Sequence, residues 1–402
     1  MFEGKNIVVG VTGGIAAYKA AALVSALVKA GAGVDVIMTR NATQFVAPLT
    51  FSTLTKRQVS VDTFRRVDHY EVEHVSLAQK ADLFVVAPAT ANVLAKMAWG
   101  LADDMLTTTL LAARCPKAAA PAMNTGMWEN PATQENLETL RRRGVLLVEP
   151  GCGRLACGDQ GKGRMAEPEE ILEALEPLVT PQDLAGRTVL VTAGPTQEAL
   201  DPVRYLTNHS TGRMGYEIAR AARNRGAKVT LISGPTALRP PAGVEVVPVT
   251  SAEEMFQAVS GRAAGADIIV KAAAVADYTP DRFSGEKIKK SGEGLSLELG
   301  RTRDILAWIG EHKGLGQVSV GFAMETRDLL ENARKKLEGK NADMIVANSL
   351  RTPGAGFGGE TNLVTLLTPG GTRELPLLSK YETGYRVLTE AAAILESKTG
   401  KA

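Results

Sequence analysis

The strongest constraint on this chain is a repeated alternation. Short apolar runs rich in β-branched residues are followed by stretches with helical spacing, and the cycle restarts many times. Ile7–Val11 is such a run, with Gly13 and Gly14 after it. From Ala16 to Lys29, residues Ala20, Leu23, Val24, Leu27 and Val28 fall on one helical face. Gly31 stops that helix and Val34–Met38 restarts the cycle. Leu83–Ala87, Ala118–Ala122 and Val145–Val148 are further strand-like runs. Asn130 can cap a helix that starts at Pro131, holds Arg141, Arg142 and Arg143 in its last turn and ends at Gly144. Alternation of this kind predicts parallel sheets with helices on both faces.

A second series begins near Arg187. Its strand-like runs are Thr188–Thr192, Ala227–Ser233, Val244–Val249, Ile268–Ala273, Ser319–Met324, Met344–Asn348 and Leu363–Leu367. Helices are expected over Met214–Asn224 and from about Leu378, and Thr250 with Glu253 reads as a capping box. Between the two series, Glu176 to Gly186 holds two prolines and no clear periodicity, so it reads as a linker. Two doubly wound α/β domains are expected, 1–185 and 186–402.

Charge narrows the function. Lys and Arg total 46 against 44 for Asp and Glu, a net charge of +2. That balance argues against bulk electrostatic binding to nucleic acid or an anionic membrane, while a local basic pocket for a small phosphorylated ligand stays open. Three cysteines, Cys115, Cys152 and Cys157, cannot make a disulfide framework in 402 residues. No apolar run approaches the ~20 residues of a membrane span, and the start of the chain lacks a signal-peptide shape. A soluble, cytoplasmic protein is expected.

Several segments have unusual chemistry. The turn from Gly13 to Lys19 suits a phosphate at a helix N-terminus, and equally an ordinary tight turn. Gly354-Ala355-Gly356-Phe357-Gly358-Gly359 matches a bare G-x-G-x-x-G string, but Pro353 precedes it and a strand follows, so it reads as a flexible loop. No P-loop string occurs. His74 suits either a helix cap or a catalyst. In Pro121–Trp128, Asn124 can offer donor and acceptor to a carboxylate, while Met123, Met127 and Trp128 also suit packing. The glycines and three basic residues of Gly151–Met165 read as a mobile lid over an anionic ligand. In the second half, Arg204–Gly215 precedes a helix and suits an anion or a plain N-cap loop. Asp277 follows a strand and fits a magnesium, a ribose or a turn. Lys287-Ile288-Lys289-Lys290 fits a solvated surface or a triphosphate clamp.

Gly13–Lys19, His74, Pro88-Ala89-Thr90-Ala91-Asn92, Pro121–Trp128 and Ala156-Cys157-Gly158-Asp159 together resemble the flavin-dependent cysteine decarboxylases of coenzyme A biosynthesis. The resemblance implies a flavodoxin-like domain, bound FMN and the substrate 4'-phosphopantothenoylcysteine. It makes His74 the base of the oxidative step, Asn124 the holder of the substrate carboxylate and Cys157 the proton donor of the reductive step. Gly14, Ile15, Thr39, Thr53, Thr90 and Ala102 become the expected FMN contacts.

Arg204–Gly215, Ala274–Tyr278, Lys287–Lys290, Lys335–Asp343 and Ile345–Asn348 resemble the phosphopantothenate–cysteine ligases. In the order decarboxylase then ligase, the whole chain resembles the bifunctional bacterial coenzyme A biosynthesis family. A Rossmann-like ligase domain using CTP and Mg2+ is implied, with no metal ligand assigned. Asn208 is expected to hold the acyl-cytidylate and Arg204 to act in the step with cysteine. Lys271, Ala272, Ala273, Asp277, Lys287, Arg303, Asp304, Ile305, Leu306, Phe322, Lys336 and Lys340 are the expected CTP contacts. Thr302-Arg303 stands where the family pattern has Asn-Pro, a change tolerated if the loop binds through backbone N–H groups. Relatives imply a homo-oligomer, with trimeric flavin domains and dimeric ligase domains. Two rivals remain: a ligase with an inactive flavin half, and a flavin-binding scaffold without catalysis.

Overall fold

The computed structural model describes residues 1–64, 72–154, 160–289, 295–325, 328–349 and 359–400. It divides into two compact units, Met1–Thr180 and Pro181–Ala402.

The first unit contains β1 (Asn6–Val11), α1 (Ala17–Lys29), β2 (Gly33–Met38), α2 (Pro48–Thr55), α3 (Glu73–Lys80), β3 (Leu83–Ala89), α4 (Ala91–Trp99), α5 (Met105–Ala112) and β4 (Lys117–Pro121). α6 (Thr125–Glu129), α7 (Pro131–Arg142), β5 (Leu146–Leu147), β6 (Gly151–Arg154), β7 (Gln160–Arg164) and α8 (Pro168–Val179) complete it. Five strands form a parallel sheet in the order β2-β1-β3-β4-β5. Alternating residues of β1 explain its two covers. Ile7, Val9 and Val11 pack with Leu23, Leu27, Phe51 and Ile171 on one face. Val8 packs with Leu94, Leu106 and Leu137 on the other. A large-to-small change at Leu23 or Leu106 should cost about 2–5 kcal/mol.

Asn130 caps α7 as expected, accepting from the Ala132 N–H. Two expectations differ. α8 runs through Pro177 to Val179, so the residues from Glu176 are helical before any linker begins. Ile171 and Leu175 bury one face of that helix, and this tertiary packing overrides the proline signal. The glycine-rich stretch after Gly151 is a two-stranded antiparallel ribbon, β6 with β7, rather than an open loop.

The second unit contains β8 (Thr188–Ala193), β9 (Gln197–Ala199), β10 (Tyr205–Thr207), α9 (Arg213–Asn224), β11 (Lys228–Ser233), β12 (Glu245–Pro248), α10 (Ala252–Ser260) and β13 (Ile268–Lys271). Next come β14 (Tyr278–Pro280), β15 (Leu299–Arg301), α11 (Ile305–His312), β16 (Val318–Glu325), α12 (Leu329–Gly339), β17 (Met344–Ser349) and β18 (Thr361–Asn362). β19 (Val364–Thr368), β20 (Gly371–Glu374), β21 (Leu378–Ser379) and α13 (Lys380–Thr399) close it. The main sheet runs β12-β11-β8-β13-β16-β17-β19-β20. Its first six strands are parallel and the last two antiparallel. The cap of α10 is shifted one residue from the expected box. Ser251 accepts from Glu254 N–H, while the Glu254 carboxylate reaches back to Thr250 N–H.

Residues just after Thr180 belong to the second unit by their bonds. Leu184 N–H donates to Arg225 O, and Gln182 Nε2 to Asn224 O. Arg225 is 1% exposed. It pairs with Asp183 at 2.6 Å and lies over the Tyr385 ring.

Candidate functional site

In an open doubly wound sheet, the crevice for a ligand opens where the strand order reverses, beyond the carboxyl ends of the strands. Order 2-1-3-4-5 reverses between β1 and β3, and two cavities open there. One of about 540 Å³ is lined by Gly13, Thr39, Asn41, Thr90 and Met105, among others. The other, of about 710 Å³, is lined by Gly13, Gly14, Ile15, Tyr18, Thr90, Asn124 and Met165, among others. They share Gly13, Thr90 and Met127.

Backbone dipoles dominate this place. α1 and α4 both start at the cavities; neither has a side-chain cap or an acidic residue in its first turn. Both dipole ends therefore face an anion without a competing acid, although Ala17 N–H and Lys19 N–H of α1 already donate to Gly14 O and Ala16 O. Thr12 Oγ1 ties the two turns together, donating to Pro88 O and accepting from Thr90 N–H. Gly13 is needed for closeness: a Cβ there would stand 2.4 Å from Asn41 Cβ. These features fit a phosphorylated aromatic cofactor of flavin size.

Asn124 caps α6 by accepting from Gly126 N–H at 2.8 Å. The β6–β7 ribbon lies directly against that turn. Met123 N–H donates to Gly163 O, and a Cβ on Gly163 (φ +142°) would meet Met123 O at 2.3 Å. Cys157 lies outside the described residues. His74 sits half-buried in the first turn of α3 and lines neither cavity. Thr53 and Ala102 are exposed and line neither; Thr53 Oγ1 bonds to Leu49 O within α2. Lys19 closes the Gly13–Lys19 turn but is not among the expected contacts. It lines the larger cavity and pairs with Glu167 at 2.8 Å. Its place on the buried face of α1 was the available signal.

The second sheet has the 3-2-1-4-5-6 order, read as β12-β11-β8-β13-β16-β17. Its cavity, about 250 Å³, lies beside the α9 N-terminus at the ends of β13, β16 and β17. It brings together Lys271, Ala272, Ala273, Asp277, Phe322 and Lys336 from the expected set. Lys271 Nζ donates to Ala273 O, and Lys336 Nζ to Phe322 O. Burial, and then the Lys336 ammonium, push the Lys271 amine down to about 8, against the pull of Asp304 and Asp277. Asn208 lies outside the lining, but its Nδ2 donates to Val275 O at 3.0 Å on the cavity wall.

Arg204 and the loop of Lys287 meet through Asp201, which is 2% exposed. Its carboxylate accepts from Arg204 Nε and Nη2, and from the N–H groups of Val203, Arg204 and Ile288. Burial alone would raise its pKa. The Arg204 contact and these N–H groups outweigh burial and hold it well below the usual carboxylate range. Lys287 itself is exposed and outside the cavity.

The remaining expected contacts form a third cluster. Asp304 caps α11 and pairs with Lys340 at 2.7 Å. Ile305 and Leu306 are buried in the core, so only their backbone can meet a ligand. Arg303 is held by Glu253 and lies 4.0 Å from the Phe256 ring centre. Thr302 ties this loop to the end of the preceding segment: its Oγ1 donates to Ala276 O and its N–H to Asp277 O. Among the described residues, no group of three His, Cys, Asp or Glu side chains gathers to hold a metal. Nor is any described helix long and apolar enough to cross a membrane.

Both halves are thus doubly wound α/β units with a ligand crevice at the reversal of strand order. Residues 1–180 match the flavoprotein family, and residues 184–395 match the DNA/pantothenate metabolism flavoprotein C-terminal domain family. The coenzyme A biosynthesis bifunctional protein CoaBC of Bacillus subtilis is 50% identical, covering 100% of each chain. That of Mycobacterium tuberculosis is 49% identical, over 92% of this chain and 91% of its own. A solved C-terminal domain of such a protein is 44% identical over 54% of this chain and 99% of its own, with a TM-score of 0.47. The chain belongs to the bifunctional coenzyme A biosynthesis family.

Proposed function

We propose that the second unit joins cysteine to 4'-phosphopantothenate with CTP, and that the first unit decarboxylates the product to 4'-phosphopantetheine. Full-length similarity to bifunctional relatives carries this reading. In the ligation, the carboxylate of the acyl substrate attacks the α-phosphorus of CTP, pyrophosphate leaves, and the cysteine amine displaces CMP. Lys271, Lys336, Phe322 and Asp277 hold the nucleotide, while Asp304 and Lys340 border it. The N–H groups of Ile305 and Leu306 supply backbone contacts. Asn208 orients the acyl-cytidylate, and Arg204 serves the attack by cysteine. Mg2+ is carried on the phosphate oxygens.

Gly14, Ile15, Thr39 and Thr90 hold FMN at the open ends of α1 and α4. When bound, FMN supplies the two-electron oxidation of the cysteine thiol and the later reduction. Asn124 holds the substrate carboxylate beside it. His74 takes the thiol proton, and Cys157 returns a proton after CO2 has left. His74, Thr53 and Ala102 line neither of the two described cavities, which fits a homo-oligomer whose second copy completes the flavin site.

The test uses the full-length protein with 4'-phosphopantothenate, cysteine, Mg2+ and either CTP or ATP, followed by mass spectrometry. Phosphopantetheine, CO2 and pyrophosphate from CTP are expected. An adduct that accumulates would remove the decarboxylase half of the reading, and no adduct with either nucleotide would remove the ligase half.

A further inference from the structure

Two side chains in the second cavity have no role in the reaction as written. Asn348 on β17 is 4% exposed and Asn362 on β18 is 3% exposed. Both line the cavity. In each, the side-chain carbonyl oxygen Oδ1 is buried without a hydrogen-bond partner among the described residues. Asn362 Nδ2 donates to the Met214 sulfur at 3.2 Å.

Their setting makes this costly. Asn348 follows Met344, Ile345, Val346 and Ala347, all buried and apolar, along one strand. Leucine has nearly the same shape and would suit that strand better. A buried acceptor left unpaired destabilises the fold, whereas an apolar residue of similar shape does not. A local rule broken this way, twice on one cavity wall, marks a functional site.

Two open acceptors on one cavity wall suit a ligand with two hydrogen-bond donors. Arg213 and Lys380 line the same cavity, and the α9 N-terminus opens into it without a side-chain cap or an acidic first turn. A ligand for this wall therefore combines negative charge with O–H or N–H donors. Cysteine brings an ammonium group toward two cations, which is unfavourable. CTP has charge on its triphosphate and donors on its ribose and cytosine, but in the ligase reading it is already held by Lys271, Lys336, Phe322 and Asp277. 4'-Phosphopantothenate has both: an anionic phosphate, a secondary hydroxyl and one amide N–H.

We infer that Asn348 and Asn362 are a recognition pair for the acyl substrate of ligation. Their Oδ1 atoms accept from its hydroxyl and its amide N–H, while Arg213 and Lys380 face its phosphate. The pair determines specificity and moves no proton. This inference rests on the ligase reading above. Wild-type protein that forms no adduct from CTP would sink that reading before any variant is compared.

The experiment compares wild type with Asn348→Leu and Asn362→Leu in the full-length protein. KM is measured for 4'-phosphopantothenate, CTP and cysteine in turn, together with the thermal midpoint. KM for 4'-phosphopantothenate should rise roughly 3- to 10-fold in each variant. KM for CTP and cysteine should hold, and the midpoint should stay level or rise. A lower midpoint with all three KM values moving together would make the asparagines structural and overturn the inference. A rise confined to CTP would overturn it too. An analogue of 4'-phosphopantothenate without the secondary hydroxyl adds an independent check. It should bind wild type more weakly, yet lose less in the variant whose oxygen received that hydroxyl. Equal losses in wild type and both variants would count against the pair. If Asn348→Leu does not fold, Asn362→Leu with calorimetric binding of 4'-phosphopantothenate carries the same decision.

Discussion

The two crevices occupy the same topological place and are built from different materials. In the first unit, the larger cavity is walled mainly by glycines, small residues, methionines and the open N-terminus of α1, alongside Lys19 and Arg164, and the charged residues Arg40, Asp62, Lys96, Asp103 and Asp104 stand in the smaller one. In the second, charged side chains converge: Lys271, Lys336, Lys380, Arg213 and Asp277 share one cavity. A planar aromatic cofactor gains from apolar walls and a few backbone donors at its phosphate. Polyanions that come and go need countercharge, and burial makes that countercharge tunable. Strand order decides where a ligand sits, and the wall decides which ligand it is.

If the comparison is sound, damage to one crevice should leave the other intact. The largest effect is expected for His74→Asn. Decarboxylation should fall by about 100- to 10,000-fold, with flavin retained and the cysteine adduct accumulating. If a second copy completes the flavin site, oligomers mixed from His74→Asn and Asn124→Ala chains should regain part of the activity. Full turnover by His74→Asn alone would end its assignment as the base.

A stability change should separate the units next. Asp183→Asn leaves the Arg225 guanidinium buried without its carboxylate. The second unit should lose about 1–3 kcal/mol, since Asp183 is itself half-exposed. Calorimetry should show ligase activity failing at a lower temperature while flavin stays bound. Lys287→Gln should raise the KM for CTP by about tenfold and leave decarboxylation of supplied 4'-phosphopantothenoylcysteine unchanged. Unaltered CTP dependence would remove Lys287 from the site.

The smallest effect is one of pH. Lys271 loses its proton near pH 8 in the folded protein, against 10.5 for an ordinary lysine. Its contribution to holding an anion is therefore present below pH 8 and fades as pH rises through that value. CTP affinity should fall a few-fold from pH 7 to 9, and Lys271→Met should flatten that slope. An unchanged slope in the variant would move the titration to another group.

Much of this was legible in the residues. The β-branched runs gave strand positions because both faces of each parallel sheet are buried, as Val8 and Val9 show by packing on opposite sides. Other features depend on partners far away in sequence. Pro177 reads as a breaker until the packing of Ile171 and Leu175 is known. The buried place of Asp201 depends on Ile288, far along the chain, which donates to it. Arg303, an expected nucleotide contact, is drawn aside by Glu253 and Phe256, neither adjacent in the chain. Asn348 closes the Ile345–Asn348 run of the ligase resemblance, but its missing partner, like that of Asn362, has no local signature.

The contact between Gly163 and Met123 O leaves no room for even a methyl group. The ribbon and the Asn124 turn are therefore fitted closely together, as a joint, at this contact. A designer could use that joint as a lever. A change at Gly161 or Gly163 of the ribbon would be felt at Thr125 and Met123, on either side of Asn124, and so, on the proposed role of Asn124, at the substrate carboxylate.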